Sequence, residues 1–135
     1  MARLTGQPID LEAAVAEVRS PRAGALLTFE GVVRDHNRDK TVTGIEYHAY
    51  EPMAARRLDA IEAEARSRWP EARIHILHRL GLLNIGESSV VIAVSSPHRD
   101  TGFAALRFAI EEIKKTVPIW KKEIYQSGFE WIEGS

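Results

Sequence analysis

An α+β fold, with an antiparallel or mixed sheet and three helices, is the expectation from three features of the sequence. Apolar residues recur at helical spacing in three separate segments. Pairs of short segments with period-two alternation lie after each of them. The resulting order is helix, two strands, helix, two strands, helix, two strands. A doubly wound parallel sheet needs strict alternation of single strands and helices, so this order argues against it.

Asp10 suits the N-cap of a helix over Leu11–Arg19, with Glu12 in the first turn, and Ser20-Pro21 ends it. Gly24–Val33 reads as a strand with Leu27, Phe29 and Gly31 on one face. Asp35–Lys40 is polar throughout and reads as a mobile loop. Val42–Tyr50 alternates, and the more apolar set, Thr43, Ile45, Tyr47 and Ala49, is expected to be the buried face. Pro52 fits the first turn of a second helix, in which Ala54, Leu58, Ile61 and Ala65 share a face before Trp69-Pro70 closes it. Ala72–Arg79 alternates as a strand. Glu87–Ser95 contains the run Val90–Val94 and reads as a central strand. Phe103, Leu106, Ile110, Ile113 and Val117 mark the third helix, stopped by Pro118. Lys121–Tyr125 and Phe129–Ile132 are two strands joined at Ser127-Gly128.

The 135 residues fit one domain, 1–135, and Lys+Arg 18 against Asp+Glu 19 gives no basic excess of the kind nucleic-acid binding requires. With no cysteine, the chain has no disulfide, thiolate nucleophile or zinc–thiolate site, and it cannot carry sulfur as a persulfide. The longest apolar run, Val90–Val94, is far short of a membrane span, and Met1–Thr5 has no apolar signal core. A soluble cytoplasmic protein is expected.

Three segments carry candidate chemistry. Ser95-Ser96-Pro97-His98-Arg99-Asp100 joins a strand to the start of the third helix, where unpaired N–H groups favour anions. On the residues alone an ordinary capped loop, with Asp100 or Ser96 as cap and no ligand on His98 and Arg99, is the favoured reading. Lys114 and Lys115 fall in the last turn of that helix, where they offset the dipole. Lys121 has no such explanation. It and Lys122 point to opposite faces of a strand, so one of them can meet a pocket, with Trp120 expected to wall one side. Two close ammonium groups lower each other's pKa. Arg34 ends a strand before a loop, a place where ligand contacts concentrate. No metal is expected, because His75 and His78 face opposite sides of a strand and no HExxH spacing occurs.

Several stretches together resemble the large, catalytic subunit of molybdopterin synthase. They are Gly24–Asn37, Glu46–Met53, His78-Arg79-Leu80-Gly81, Ser96-Pro97-His98-Arg99, Lys114 through Glu123, and Trp131-Ile132-Glu133. The resemblance runs from about Ile9 to Glu133 and implies a fold of the α/β-hammerhead type, a homodimer, and no cofactor. It implies a small ubiquitin-like partner activated as a C-terminal Gly-Gly thiocarboxylate, the two subunits forming a heterotetramer. The implied substrate is cyclic pyranopterin monophosphate and the product the dithiolene of molybdopterin. By the same resemblance Lys114 and Lys121 are catalytic, while Arg34, His98, Arg99 and Phe29 bind substrate. Some members continue to an arginine that reaches a neighbouring site. This sequence runs to Glu133-Gly134-Ser135, so that contact is expected to be absent or replaced. The competing expectations are a non-catalytic phosphate- or nucleotide-binding module and a purely structural dimer paired through strand edges.

Overall fold

A computed structural model describes residues 3–134. Met1, Ala2 and Ser135, which belong to the expectations about the two termini, lie outside the described residues. Three helices, α1 (Leu11–Ala16), α2 (Glu51–Arg68) and α3 (Arg99–Thr116), are arranged with two sheets. The first sheet has the order β1 (Leu4–Thr5), β5 (Arg73–Arg79), β7 (Ser88–Ser96), β2 (Ala25–Val32). Only β1 runs parallel to its neighbour. The second has the order β3 (His36–Asn37), β4 (Lys40–Ala49), β8 (Ile119–Tyr125), β9 (Gly128–Glu133), with β6 (Gly81–Asn84) also paired to β4. This is the mixed α+β arrangement the periodicities predict.

β7 is the middle of the first sheet and is buried from Ser89 to Ser96. Its two faces serve different helices. Val90, Ile92 and Val94 join Leu58 and Ile61 of α2 and Ala105, Ala109 and Ile113 of α3 in the main core. Ser95, on the other face, donates its hydroxyl to the Val18 carbonyl just after α1. Covering both faces explains the unbroken apolar run. Each of the large side chains buried here contributes about 1.5–3 kcal/mol.

Three local expectations are corrected, and two short strands are added. The Asp35–Lys40 segment is not an open loop: His36 pairs with Thr41 and Asn37 with Lys40, so it is a hairpin turning at Arg38 and Asp39. The polar composition hid this, because two-pair hairpins carry no alternation long enough to read. In β4 a bulge between Val42 and Gly44 shifts the alternation, so Val42 is buried and Thr43 exposed, while Ile45 and Tyr47 are buried as expected. In α3 the buried stripe is Gly102, Ala105, Ala109 and Ile113, and Phe103 is 58% exposed. Small residues let α3 lie close on β2, where a Cβ at position 102 would stand 2.5 Å from Leu27 Cδ1. The short strands β1 and β6 had no sequence signal.

Two buried polar groups have structural partners. Glu62 of α2 accepts the Ile76 backbone N–H at 2.9 Å and meets Arg3 Nη2 at 2.7 Å, tying the N-terminal strand to the core. His78 is fully buried, and its Nδ1–H donates to the Arg79 carbonyl at 2.9 Å. Burial pushes its pKa down to about 4.

Candidate functional site

The chain leaves the first sheet at Val32 and enters the second through the β3–β4 hairpin. Where the sheets diverge, a cavity of about 590 Å³ opens, closed on its third side by the end of α3. Gly31 forms part of its floor for a steric reason. A Cβ there would come within 2.7 Å of Val90 Cγ1 and 3.3 Å of Ser89 Oγ.

Three of the six site residues expected from sequence meet here: Arg34 beyond β2, Lys114 in the last turn of α3, and Lys121 on β8. Pro118 makes the convergence possible. α3 is capped at Val117, and Ile119 already begins β8. The turn folds the chain back, so two lysines seven positions apart line one space. The strand alternation also settles which neighbour serves. Lys121 lies opposite Tyr47 and Ile132 and lines the cavity. Lys122 points to the outer face, with its ammonium 4.2 Å from the centre of the Phe129 ring. Lys115 is exposed and lies outside the cavity lining.

The electrostatics favour an anion. Arg34, Arg38, Lys40, Lys114 and Lys121 line the cavity against the carboxylates Glu123, Glu130 and Glu133. The chain as a whole carries a formal charge of −1, so the cations are concentrated locally. Burial holds the Lys114 amine below the ordinary lysine range, and the charge of Lys121 lowers it further. A lysine of this kind reaches its neutral, proton-accepting form at lower pH than an unperturbed one.

The other expected residues stand elsewhere. Phe29 is half-buried on β2 beside Gly31, packed against the core at the edge of the cavity rather than lining it. His98 caps α3 and Arg99 is its first residue; both are exposed. Fifteen residues of helix separate Arg99 from Lys114, roughly 22 Å at 1.5 Å per residue. β2 shows the same separation, since Ala25 pairs with Ser96 beside His98 while Val32 pairs with Ser88 at the cavity end. Within one chain His98 and Arg99 do not join Arg34.

Trp120 does not wall the cavity either. It lies on the outer face of the second sheet, stacked on His48 with ring centres 6.4 Å apart, and the Trp131 ring stands on that same face, 5.4 Å from His48. Sequence reasoning missed Asn37, Arg38, Lys40, Tyr47, Glu123 and Tyr125. The alternation of Lys121, Glu123 and Tyr125 along β8 was a usable signal, since all three must share a face with Lys121. The hairpin residues gave none, because their place depends on a partner strand more than eighty positions away. Among the described residues no group of three His, Asp or Glu side chains could hold a metal ion, and no helix is long and apolar enough to cross a membrane.

Residues 4–116 match the family model described as MoaE protein. The molybdopterin synthase catalytic subunit of Bacillus subtilis is 49% identical over 129 residues, covering 96% of this chain and 82% of that protein. The protein of the same name from Halalkalibacterium halodurans is 47% identical over 126 residues, covering 93% and 81%. Among solved structures, molybdopterin synthase from Staphylococcus aureus superposes with a TM-score of 0.92 at 40% identity, covering 96% of this chain and 95% of that one. Fold and sequence agree, and the chain belongs to the MoaE protein family.

Proposed function

We propose that this chain is the catalytic subunit of a molybdopterin synthase. In this reading it moves sulfur from the C-terminal thiocarboxylate of a small ubiquitin-like protein ending in Gly-Gly to cyclic pyranopterin monophosphate, forming the dithiolene of molybdopterin. The observation that carries the reading is the convergence of Arg34, Lys114 and Lys121 on one cavity, with the Lys114 amine held below its ordinary pKa. The relatives named for this activity support it.

The cavity suits two anions, a thiocarboxylate and a phosphate ester. Arg34 offers a planar fork for phosphate oxygens. The Lys121 ammonium stabilises charge that develops as the cyclic phosphate opens. Lys114, more easily deprotonated, is placed to accept a proton as sulfur adds. A protein without cysteine has no sulfur carrier of its own, which is consistent with delivery by a partner's tail. The same composition fits a reducing cytoplasm.

His98 and Arg99 enter this reading through a homodimer. β2 ends the order of the first sheet, with Leu26 and Val32 exposed along it. Antiparallel pairing of two such edges about a two-fold axis sets one chain's Ala25 end beside the other's Val32 end. One protomer's His98 and Arg99 then stand near the partner's Arg34, and each site is assembled from two chains. The decisive experiment is dithiolene formation in vitro with a thiocarboxylated small protein, using Lys114→Ala and Lys121→Ala. A loss of ~100-fold corresponds to about 2.7 kcal/mol of barrier, beyond the ~0.3–1 kcal/mol a helix-end lysine contributes to stability alone. If both variants fold, bind the partner and turn over within a few-fold of the parent, the assignment is wrong.

A further inference from the structure

The cavity wall formed by the β3–β4 hairpin is weakly built in itself. Two residue pairs and the Val42 N–H donated to the Asp35 carbonyl hold it, and its turn places Arg38 at φ 57°, the left-handed region that non-glycine residues enter under strain. What fixes it comes from β8. The Asn37 side-chain amide donates to Glu123 Oε1 at 2.7 Å. The Tyr125 hydroxyl lies 2.9 Å from the same oxygen and 3.1 Å from Glu130 Oε2. Lys40 completes the contact, with its ammonium 4.7 Å from the Tyr125 ring centre and 3.9 Å from Glu130.

Stability alone does not account for this cluster. Glu123 and Glu130 sit directly opposite each other across β8 and β9, a like-charge pairing that weakens a sheet. Glu123 is also 4% exposed, and a buried carboxylate is costly unless its partners repay it. Asn37 and Tyr125 are those partners, and one of them belongs to the hairpin. Burial and the two carboxylates push the Tyr125 hydroxyl up to about 12, so it remains a neutral hydrogen-bonding group throughout the physiological range.

We propose that Glu123 and Tyr125 are positioning residues that bolt the β3–β4 hairpin to β8, thereby setting where Arg34, Arg38 and Lys40 stand around the bound anion. The identity of that anion rests on the function proposed above; the bolting does not. In action, the hairpin closes one wall of the cavity, and release of Asn37 lets the wall open without moving Lys114 or Lys121.

The test combines proteolysis with kinetics. Trypsin cleaves after Arg38 and Lys40 only when the hairpin opens, so Glu123→Ala is cleaved there about tenfold faster than the parent. Glu123→Gln keeps an oxygen that accepts from Asn37 and Tyr125, and its cleavage rate returns to within about threefold of the parent. Asn37→Ala, a half-buried hairpin residue, reproduces the rapid cleavage if Glu123→Ala proves too unstable to purify. In the dithiolene assay, the KM for cyclic pyranopterin monophosphate rises about tenfold in Asn37→Ala and Glu123→Ala while kcat stays within about threefold, and Glu123→Gln restores KM. Equal cleavage rates in parent, Asn37→Ala and Glu123→Ala overturn the proposal, as does a fall in kcat at unchanged KM. If the parent forms no dithiolene, the proposed function falls and the cleavage series alone decides the bolt.

Discussion

Mixing two inactive variants offers the most direct check on where the anion-binding residues act. The perturbation is a pair of single changes, Lys114→Ala in one chain and Arg99→Ala in the other, combined by co-expression so that protomers exchange. Along α3 the two positions are roughly 22 Å apart, too far for both side chains to touch one small substrate. In a mixed dimer, one site has the intact Lys114 of one chain facing the intact Arg99 of the other, and the second site has both changes. Random pairing makes half of all dimers mixed, and half of their sites whole, so activity recovers to about a quarter of the parental value. Each variant alone is expected to fall at least ~100-fold, so the recovery stands far above either background. The assay is dithiolene formation at saturating thiocarboxylated partner, with dimer composition checked by tagged chains. If the mixture performs no better than the two variants assayed separately, Lys114 and Arg99 do not serve one site across a dimer, and the two-chain reading is refuted.

Three further outcomes are expected. Lys114, followed by NMR of its side-chain amine, titrates below the ordinary lysine range, and Lys121→Met moves it up toward that range because one of its two depressing causes is removed; an unchanged titration in Lys121→Met would show that the amines do not interact. For His78, whose pKa falls from 6.5 to about 4 on folding, the unfolded chain takes up the proton first as pH drops. Its contribution is therefore full above pH 6.5 and is lost progressively down to about pH 4, by about 3 kcal/mol at 1.36 kcal/mol per unit. Urea unfolding across that window should show this slope in the parent and lose it in His78→Leu. Gly24→Ala sets a Cβ 2.8 Å from the rigid Pro97 carbonyl oxygen, so β2 must shift from the β7–α3 connection at a cost of about 1–3 kcal/mol, read as a lower urea midpoint.

The sequence was most informative where one residue's environment follows from its near neighbours. The stripe Ala54, Leu58, Ile61, Ala65 and the run Val90–Val94 each announced their element, because burial on a helix face or in a central strand leaves a periodic trace. Asp10 as the cap of α1 was equally local, its carboxylate accepting the Ala13 N–H. The same logic, applied to Lys121 and Lys122, reduced the question to which face meets the cavity. It failed where position depends on distant chain. Nothing around Asn37 indicates that its partner is Glu123, and nothing around Thr43 announces a bulge. The site was legible as a set of cations but not as an arrangement. His98 and Arg99 satisfy the local chemistry of an anion site, yet the length of α3 removes them from the cavity of their own chain.

The route of the chain through β5, β6 and β7 has a consequence for dissection of the protein. The polypeptide leaves the first sheet at Arg79, turns at Gly81 with φ 95°, contributes β6 to the second sheet, and returns to the first at Ser88. Neither sheet is therefore a contiguous stretch of sequence. A truncation before α3 removes Lys114 and Lys121 along with β8 and β9, and a cut in the Arg79–Ser88 excursion divides both sheets at once. Split fragments should recover a folded site only by reassociating, because even a break at the exposed Arg38-Asp39 turn parts β1 and β2 from β5 and β7 and parts β3 from β4. Half-molecules of this fold are not small versions of the enzyme but unfinished ones.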